Sequence, residues 1–416
     1  MSTPYRRNAK TPAGRIAATP STATWGGFFG LLQEYAGAAA GYSLRKIGSG
    51  PVVRLRRASD NEEQDFSAGE LTGSSEGSEE LTNGDFSNGS TGWNLSGWSI
   101  VGGQAVANAG GGLELLDQHA LDDQQVGDYI KVTFDLVACS DFANCGMQIN
   151  STSLSRFNTI LQINSTGTFS FLYYYDTKVN NRFRFYANNS ASMTIDNVSV
   201  VPYTPTAAES WVIDGRAGFQ RQTNESAFAT TWYDQSGSGN NATQATSTAQ
   251  PKLITAGVTE LDNGKPAMVF DGVDDILSNS GFRVEQPATG FTVSSATASG
   301  RIWSGDNAER MIMFYSTSLS RRIFAGASLV GSNATADTQE LMVGLFNSTT
   351  SELWSNGTSL VSGDAGTSAC DQIFISGDEG GSTGPMKIQE IIIYDSDQSA
   401  NRTNIETNIN NHYNIY

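Results

Sequence analysis

The sequence predicts an all-β protein, and three observations predict it. Glycine occurs 44 times in 416 residues and only 16% of the chain is charged, a composition of many turns and polar strand faces. Apolar and polar residues alternate over short runs such as YIKVTFDLV, where Ile130, Val132, Phe134 and Leu136 share one face. Runs of this kind recur between clusters of Gly, Asn, Asp and Ser from residue 42 almost to the end of the chain.

In chain order, residues 1–24 are rich in Thr, Pro, Ala and Arg without apolar periodicity, which predicts an extended arm. In residues 25–41, Phe28, Leu31, Leu32, Tyr35 and Ala39 recur at three- and four-residue steps and predict a short amphipathic helix, weakened at Gly37 and ended at Gly41. It packs on its own domain or on another subunit. Two strands follow, YSLRKI and VVRLRR, with Val53 and Leu55 facing in and Arg54 and Arg56 facing out. Residues 67–80 form an acidic, glycine-rich linker, and 81–203 a further β unit closing on MTIDNVSVVPY. A strand is expected around WVIDG. At 230–244, TTWYDQSGSGNNATQ is an aromatic strand running into a turn that Asp234 can cap. Later strands include GKPAMVFDG, MIMFY, ELMVGLF, QIFIS and KIQEIIIYD, and Asn356-Gly357 reads as a type I′ hairpin turn. Ile405, Ile409 and Tyr413 predict a terminal helix capped by Ser396 or Asp397.

The net charge is −17, yet residues 1–57 hold nine Lys and Arg against one acid. The acidic remainder makes nucleic acid an unexpected partner, while the basic start suits an acidic protein surface. No apolar h-region or membrane-length run is present, so the chain is expected to stay in the cytosol where it is made, without membrane insertion. Three cysteines make no disulfide framework, although Cys139 and Cys145 flank one loop and can pair. With His119 and His412 as the only histidines, no Cys/His metal set or Ser-His-Asp mechanism is expected, and no glycine loop precedes a helix to cradle phosphate.

The 230–244 string resembles a signature of concanavalin-A-like, laminin-G-like jelly rolls. These include the catalytic domain of fungal α-L-arabinofuranosidases and domains of phage structural proteins. In those families the YSLR and VVRLRR strands lie shortly before the YDQSG strand. Here they are far apart, so residues 42–78 and 205–416 resemble one discontinuous jelly roll, with 79–204 inserted in a loop. The inserted stretch opens on Asn83-Gly84-Asp85-Phe86 and closes on Ile195-Asp196-Asn197-Val198, and resembles a galactose-binding-type carbohydrate-binding module. The resemblance implies two β-sandwich jelly rolls, one inside the other, with a structural Ca²⁺ held by Asp85 and Asp196. The alternative is that Asp196 caps a turn through Asn197.

Sugar binding needs aromatic platforms, and Trp93, Trp98, Tyr173, Tyr175, Trp303 and Trp354 are candidates, with core packing as the alternative for each. Glycoside hydrolysis needs two carboxyl groups. Loose alignment with the fungal enzymes offers Glu309 and Asp378, but Glu379 stands where an amide is expected, and no enzymatic activity is expected. The YSLR, TWYDQSG, FDG and IIIYD…NIETNIN strings together resemble phage structural proteins of the fibre or capsid-appendage kind. The resemblance implies a virion-surface protein assembled in the host cytoplasm. Its arm (Arg6, Arg7, Lys10, Arg15) would contact other virion proteins, and its sandwiches a cell-surface glycan and further copies of the chain. A glycoside hydrolase or free lectin is the other reading.

Overall fold

The computed structural model describes residues 30–150, 155–157, 161, 163–214, 218–219, 226–308, 310–381 and 383–416. The expected arm, with Arg6, Arg7, Lys10 and Arg15, lies outside them. Antiparallel strands dominate, with three short α-helices, and no helix among the described residues is long and apolar enough to cross a membrane.

The strands fall into two groups along the chain. Ala38–Ser43, Val53–Arg57 and Glu63–Phe66 pair with strands from Ala227–Trp232 to Pro385–Tyr394. They form an outer sandwich whose two layers join through Met268–Asp271. One layer runs from Ala38–Ser43 through Pro385–Tyr394 and Ala288–Ala296 to Glu340–Phe346. The other includes Leu277–Val284, Cys370–Ile375, Gly300–Ser304, Ile312–Tyr315 and Ser320–Phe324. Residues from 75 to 219 make separate five- and seven-stranded sheets, an intervening sandwich.

The central strand Pro385–Tyr394 shows why IIIY can be apolar without a break. Ile391 and Ile393 face the core between the layers, whereas Ile392 and Tyr394 face outward beneath helices α1 (Leu31–Glu34) and α3 (Arg402–Tyr413). A strand covered on both faces has no position that prefers water. Helix α3 buries Ile405, Ile409 and Tyr413, as its spacing predicts. Its N-cap is Asn401, not Ser396 or Asp397, and Asp397 instead caps the preceding turn through Ser399.

Two segments depart from the sequence reading. In the described part of the expected 25–41 helix, only Leu31–Glu34 is helical, and Ala38–Ser43 is already a strand. Tertiary fit overrides the helix preference of alanine here. The strand must let α1 approach, and a Cβ on Gly41 would stand 2.6 Å from Leu32 Cδ1. The WVI run expected as a strand ends helix α2 (Ala207–Ile213). A reciprocal capping box decides it, with Thr206 Oγ1 accepting from Glu209 N and Glu209 Oε2 accepting from Thr206 N.

In the intervening sandwich Tyr129–Cys139 alternates as predicted, with Ile130, Val132, Phe134 and Leu136 buried. Phe134 is ringed by Phe157, Phe169, Phe171 and Phe185 at centroid distances of 5.0–6.0 Å. Both ends of this stretch leave side by side, Glu76 opposite Tyr203 and Ser75 opposite Thr204. Beside that exit the buried Glu209 carboxylate accepts from Tyr203 Oη at 3.0 Å and from Thr259 N at 2.7 Å, so one side chain ties the exit strand to the outer sandwich. The three cysteines are free thiols, and Cys145 Sγ donates to Ser192 O at 3.9 Å.

Candidate functional site

The Trp232–Gly237 motif is a fastening. Asp234 Oδ1 accepts from Gly41 N and Ser236 N, and its Oδ2 accepts from Asn240 N and Ser236 Oγ. Gln235 takes the N–H groups of Ile47 and Gly48 on one side of its amide and donates to the carbonyls of Ser43 and Arg45 from the other. The motif therefore stitches the first strand to a turn about 190 residues later in the chain. The Asp234 carboxylate and the Gln235 amide are thus engaged within the protein, which leaves these two side chains no role toward a ligand.

The six expected sugar platforms are core residues. Trp93, Trp98, Tyr173 and Tyr175 lie inside the intervening sandwich and Trp303 inside the outer one, while Trp354 packs beneath the helices with Arg402 over its ring at 4.7 Å. None is more than 6% exposed, so no ring face is open to a sugar. In the tyrosine run only Tyr174 turns outward, and it stacks on Tyr129 at 4.8 Å.

Asp85 and Asp196, the expected Ca²⁺ ligands, each cap a local turn. Asp85 Oδ1 holds the Ser87 N–H and hydroxyl, while Asp196 takes Asn197 N and Gln104 Nε2. The backbone carbonyls that would complete the shell already accept from protein donors, Asn83 O from Trp93 Nε1 and Gly84 O from Val198 N. Among the described residues one acidic group converges, Asp271, Asp274 and Asp275, with oxygens within 4.8 Å of one another. Its geometry is that of a turn, with Asp271 Oδ1 accepting from Val273 N and Asp275 Oδ2 from Asp271 N. Burial pushes the Asp275 carboxyl up to about 7.

Of the two catalytic candidates, Glu309 lies outside the described residues. Asp378 is buried behind a cleft of about 410 Å³ on the outer sandwich, bound to its lining residues Arg301 and Arg310. The cleft is built by register. Across Gly300–Ser304, Ile312–Tyr315 and Ser320–Phe324, Arg301 pairs with Phe314 and Phe314 with Arg322, and Ile312 pairs with Phe324. Residues directly opposite in antiparallel strands share a face, so these side chains form one surface, whereas Met313, Tyr315 and Ile323 turn into the core. Phe314 and Phe324 are half-buried. Hydroxyls of Ser316, Thr317 and Thr383 complete the rim.

Asp378 anchors this wall. Its Oδ2 meets Arg301 Nη1 and Arg310 Nη2, each at 2.5 Å, and its Oδ1 accepts from Gly380 N at 3.0 Å. With both oxygens engaged, it positions two guanidiniums and is not presented as a nucleophile. Burial pulls the Arg301 guanidinium below its ordinary value, and Asp378 opposes that shift. Under the cleft, Tyr315 Oη donates to Glu340 Oε1 at 2.7 Å, and Arg321 Nε and Ser355 Oγ hold Glu340 Oε2. Arg301, Arg310, Phe314 and Phe324 were not singled out in the sequence. The available signal was the alternation in MIMFY and RRIF, which puts an aromatic ring on the face opposite the core.

No family model matches the chain, and no curated protein matches it in sequence. Among solved structures it is similar to a GH54 α-L-arabinofuranosidase soaked with a cyclic sulfate inhibitor, at 11% identity and a TM-score of 0.41, over 89% of this chain and 62% of the other. It is also similar to Trypanosoma rangeli sialidase in complex with the inhibitor DANA, at 12% identity and a TM-score of 0.33, over 53% of this chain and 40% of the other. The chain thus spans about two fifths of the length of the sialidases it matches.

Proposed function

We propose that the protein is a virion-surface component of a bacteriophage whose outer sandwich binds a host-surface glycan in the Arg301–Phe314 cleft. The observation that carries the binding reading is the cleft surface itself, where half-buried phenyl faces lie beside guanidiniums and hydroxyls in the row fixed by strand register. A pyranose needs that combination, an apolar platform flanked by hydrogen-bonding groups. Binding without hydrolysis is supported by Asp378, whose oxygens are engaged by Arg301, Arg310 and Gly380. The virion assignment rests on the phage-like strings and on the basic residues Arg6, Arg7, Lys10 and Arg15 at the start of an otherwise acidic chain.

Two experiments test the two halves. Host-cell polysaccharide incubated with the protein is expected to cosediment with it and to be recovered at its original length; release of reducing ends would instead establish a glycoside hydrolase. Deleting residues 1–24 is expected to leave the melting temperature nearly unchanged and to abolish incorporation into particles. Truncated protein at wild-type stoichiometry in purified particles contradicts anchoring by the arm.

A further inference from the structure

We infer that the cleft selects carboxylated sugars, so that the glycan it takes is an acidic one of the uronate class; this rests on the glycan-binding reading above. Three guanidiniums, Arg301, Arg310 and Arg322, belong to the cleft surface or to its adjoining strand row, and Asp378 is the carboxylate that two of them share. The local balance is positive on a chain whose net charge is −17. That contrast matters, because the field of the whole molecule repels polyanions and only a built patch can hold one.

Arg310 and Arg322 also retain donors. Among the described residues Arg310 makes one hydrogen bond, to Asp378 Oδ2, and its buried Nε has no partner. Arg322 donates from Nε to Ser320 Oγ and has no carboxylate partner among the described residues. It stands directly across from Phe314 in the strand register. A guanidinium offers five N–H groups in a planar fork matched to a carboxylate, and one contact leaves an edge of the fork for a ligand. A uronate ring laid on Phe314 would carry its carboxylate at the ring edge, toward the arginines that flank that phenyl group. Asp378 shows that the wall already orients two guanidiniums on a single carboxylate.

The test uses the full chain and isothermal titration calorimetry. The probes are oligosaccharides of galacturonic, glucuronic and mannuronic acid, each beside its methyl ester, which keeps the sugar and removes the charge. At least one acid is expected to bind, and its ester at least about tenfold more weakly, the size of one charge-assisted hydrogen bond. Arg310→Gln and Arg322→Gln are each expected to weaken the acid by about tenfold and to narrow the ratio of acid to ester affinity. Arg322 has no ion pair among the described residues to lose, so R322Q remains informative if R310Q melts early. Equal affinity for acid and ester overturns the acidic class while leaving glycan binding intact. No binding of any acid or ester overturns the acidic class, and cosedimentation of host-cell polysaccharide then decides the glycan reading separately. An acid preference unchanged in R310Q and R322Q places the selectivity elsewhere and overturns the assignment to these arginines.

Discussion

The two sandwiches bury different things. The intervening one packs apolar side chains around Phe134 and buries Glu114 and Asp117, the latter 3.4 Å from Arg184. The outer one, besides its apolar core, buries carboxylates on both sides of one layer: Glu340 with Arg321, Tyr315 and Ser355, and Glu390 with Arg45, Ser43 and Tyr413. An apolar core yields stability with little demand on geometry, whereas a buried ion pair is held only where every partner is in place. The sandwich that carries the cleft is thus the one whose two buried carboxylates each hold three side-chain partners.

The largest expected effects form a matched pair, one in each sandwich. Phe134→Ala leaves a cavity among four phenyl rings and costs about 3–5 kcal/mol. Glu390→Ala leaves the Arg45 guanidinium buried without its carboxylate and costs about 3–5 kcal/mol. Calorimetry should show F134A lowering a transition that leaves glycan binding at the cleft intact. Adding Arg45→Met to Glu390→Ala should restore most of the loss, because the pair is then replaced by apolar groups. If the double variant melts no higher than Glu390→Ala alone, the loss comes from packing and the contrast between the sandwiches dissolves.

A smaller effect depends on pH. Burial raises the Asp275 carboxyl to about 7, so the folded chain favours its protonated form and stability from this group fades as pH rises from about 4 toward 7. Asp275→Asn should stabilise the outer sandwich by about 1–2 kcal/mol at pH 8 and give no gain at pH 4. Burial pushes the His412 imidazole the other way, down to about 4, so its contribution is present above the ordinary histidine value and is lost as pH falls toward 4. Thermal melts across this range, with H412Q beside D275N, separate the two. A D275N gain of the same size at pH 4 and pH 8 contradicts the linkage.

The smallest effects are at surface pairs, Arg54 with Asp65 in the outer sandwich and Lys131 with Glu76 at its junction with the intervening one. Arg54→Ala and Lys131→Ala should each change stability by less than about 1 kcal/mol, measured by denaturant melts. A larger loss in K131A would make the junction a stabilising contact.

What the sequence made legible follows the same division. Period-two alternation identified Tyr129–Cys139 and its inward face, and Asn356-Gly357 does turn the hairpin between Ser351–Ser355 and Thr358–Gly363, with both residues at positive φ. Helix α2 was legible in principle, since the Thr206 and Glu209 spacing is a capping box, but the β-branched WVI run outweighed it. Ala38–Ser43 was not legible, because alanine is chosen there for the close approach of α1. Aromatic residue type alone cannot separate a platform from a core ring. Trp93 and Trp303 are buried while Phe314 and Phe324 reach the surface, and only strand register sorts them. Asp378 was found as an acid in the right segment, but the arginines that engage it come from other strands and turns.

Adsorption to host cells of the wild-type chain, Phe314→Ala and Tyr174→Ala compares the two sandwiches directly. Phe314 is one of two half-buried rings of the outer cleft, and Tyr174 is a half-buried ring of the intervening sandwich. The expected result is at least about a tenfold loss of adsorption in F314A, the worth of one ring face against a sugar, with an unchanged melting temperature and wild-type adsorption in Y174A. Wild-type adsorption by F314A together with loss in Y174A would place the glycan site on the intervening sandwich and contradict the assignment of the cleft.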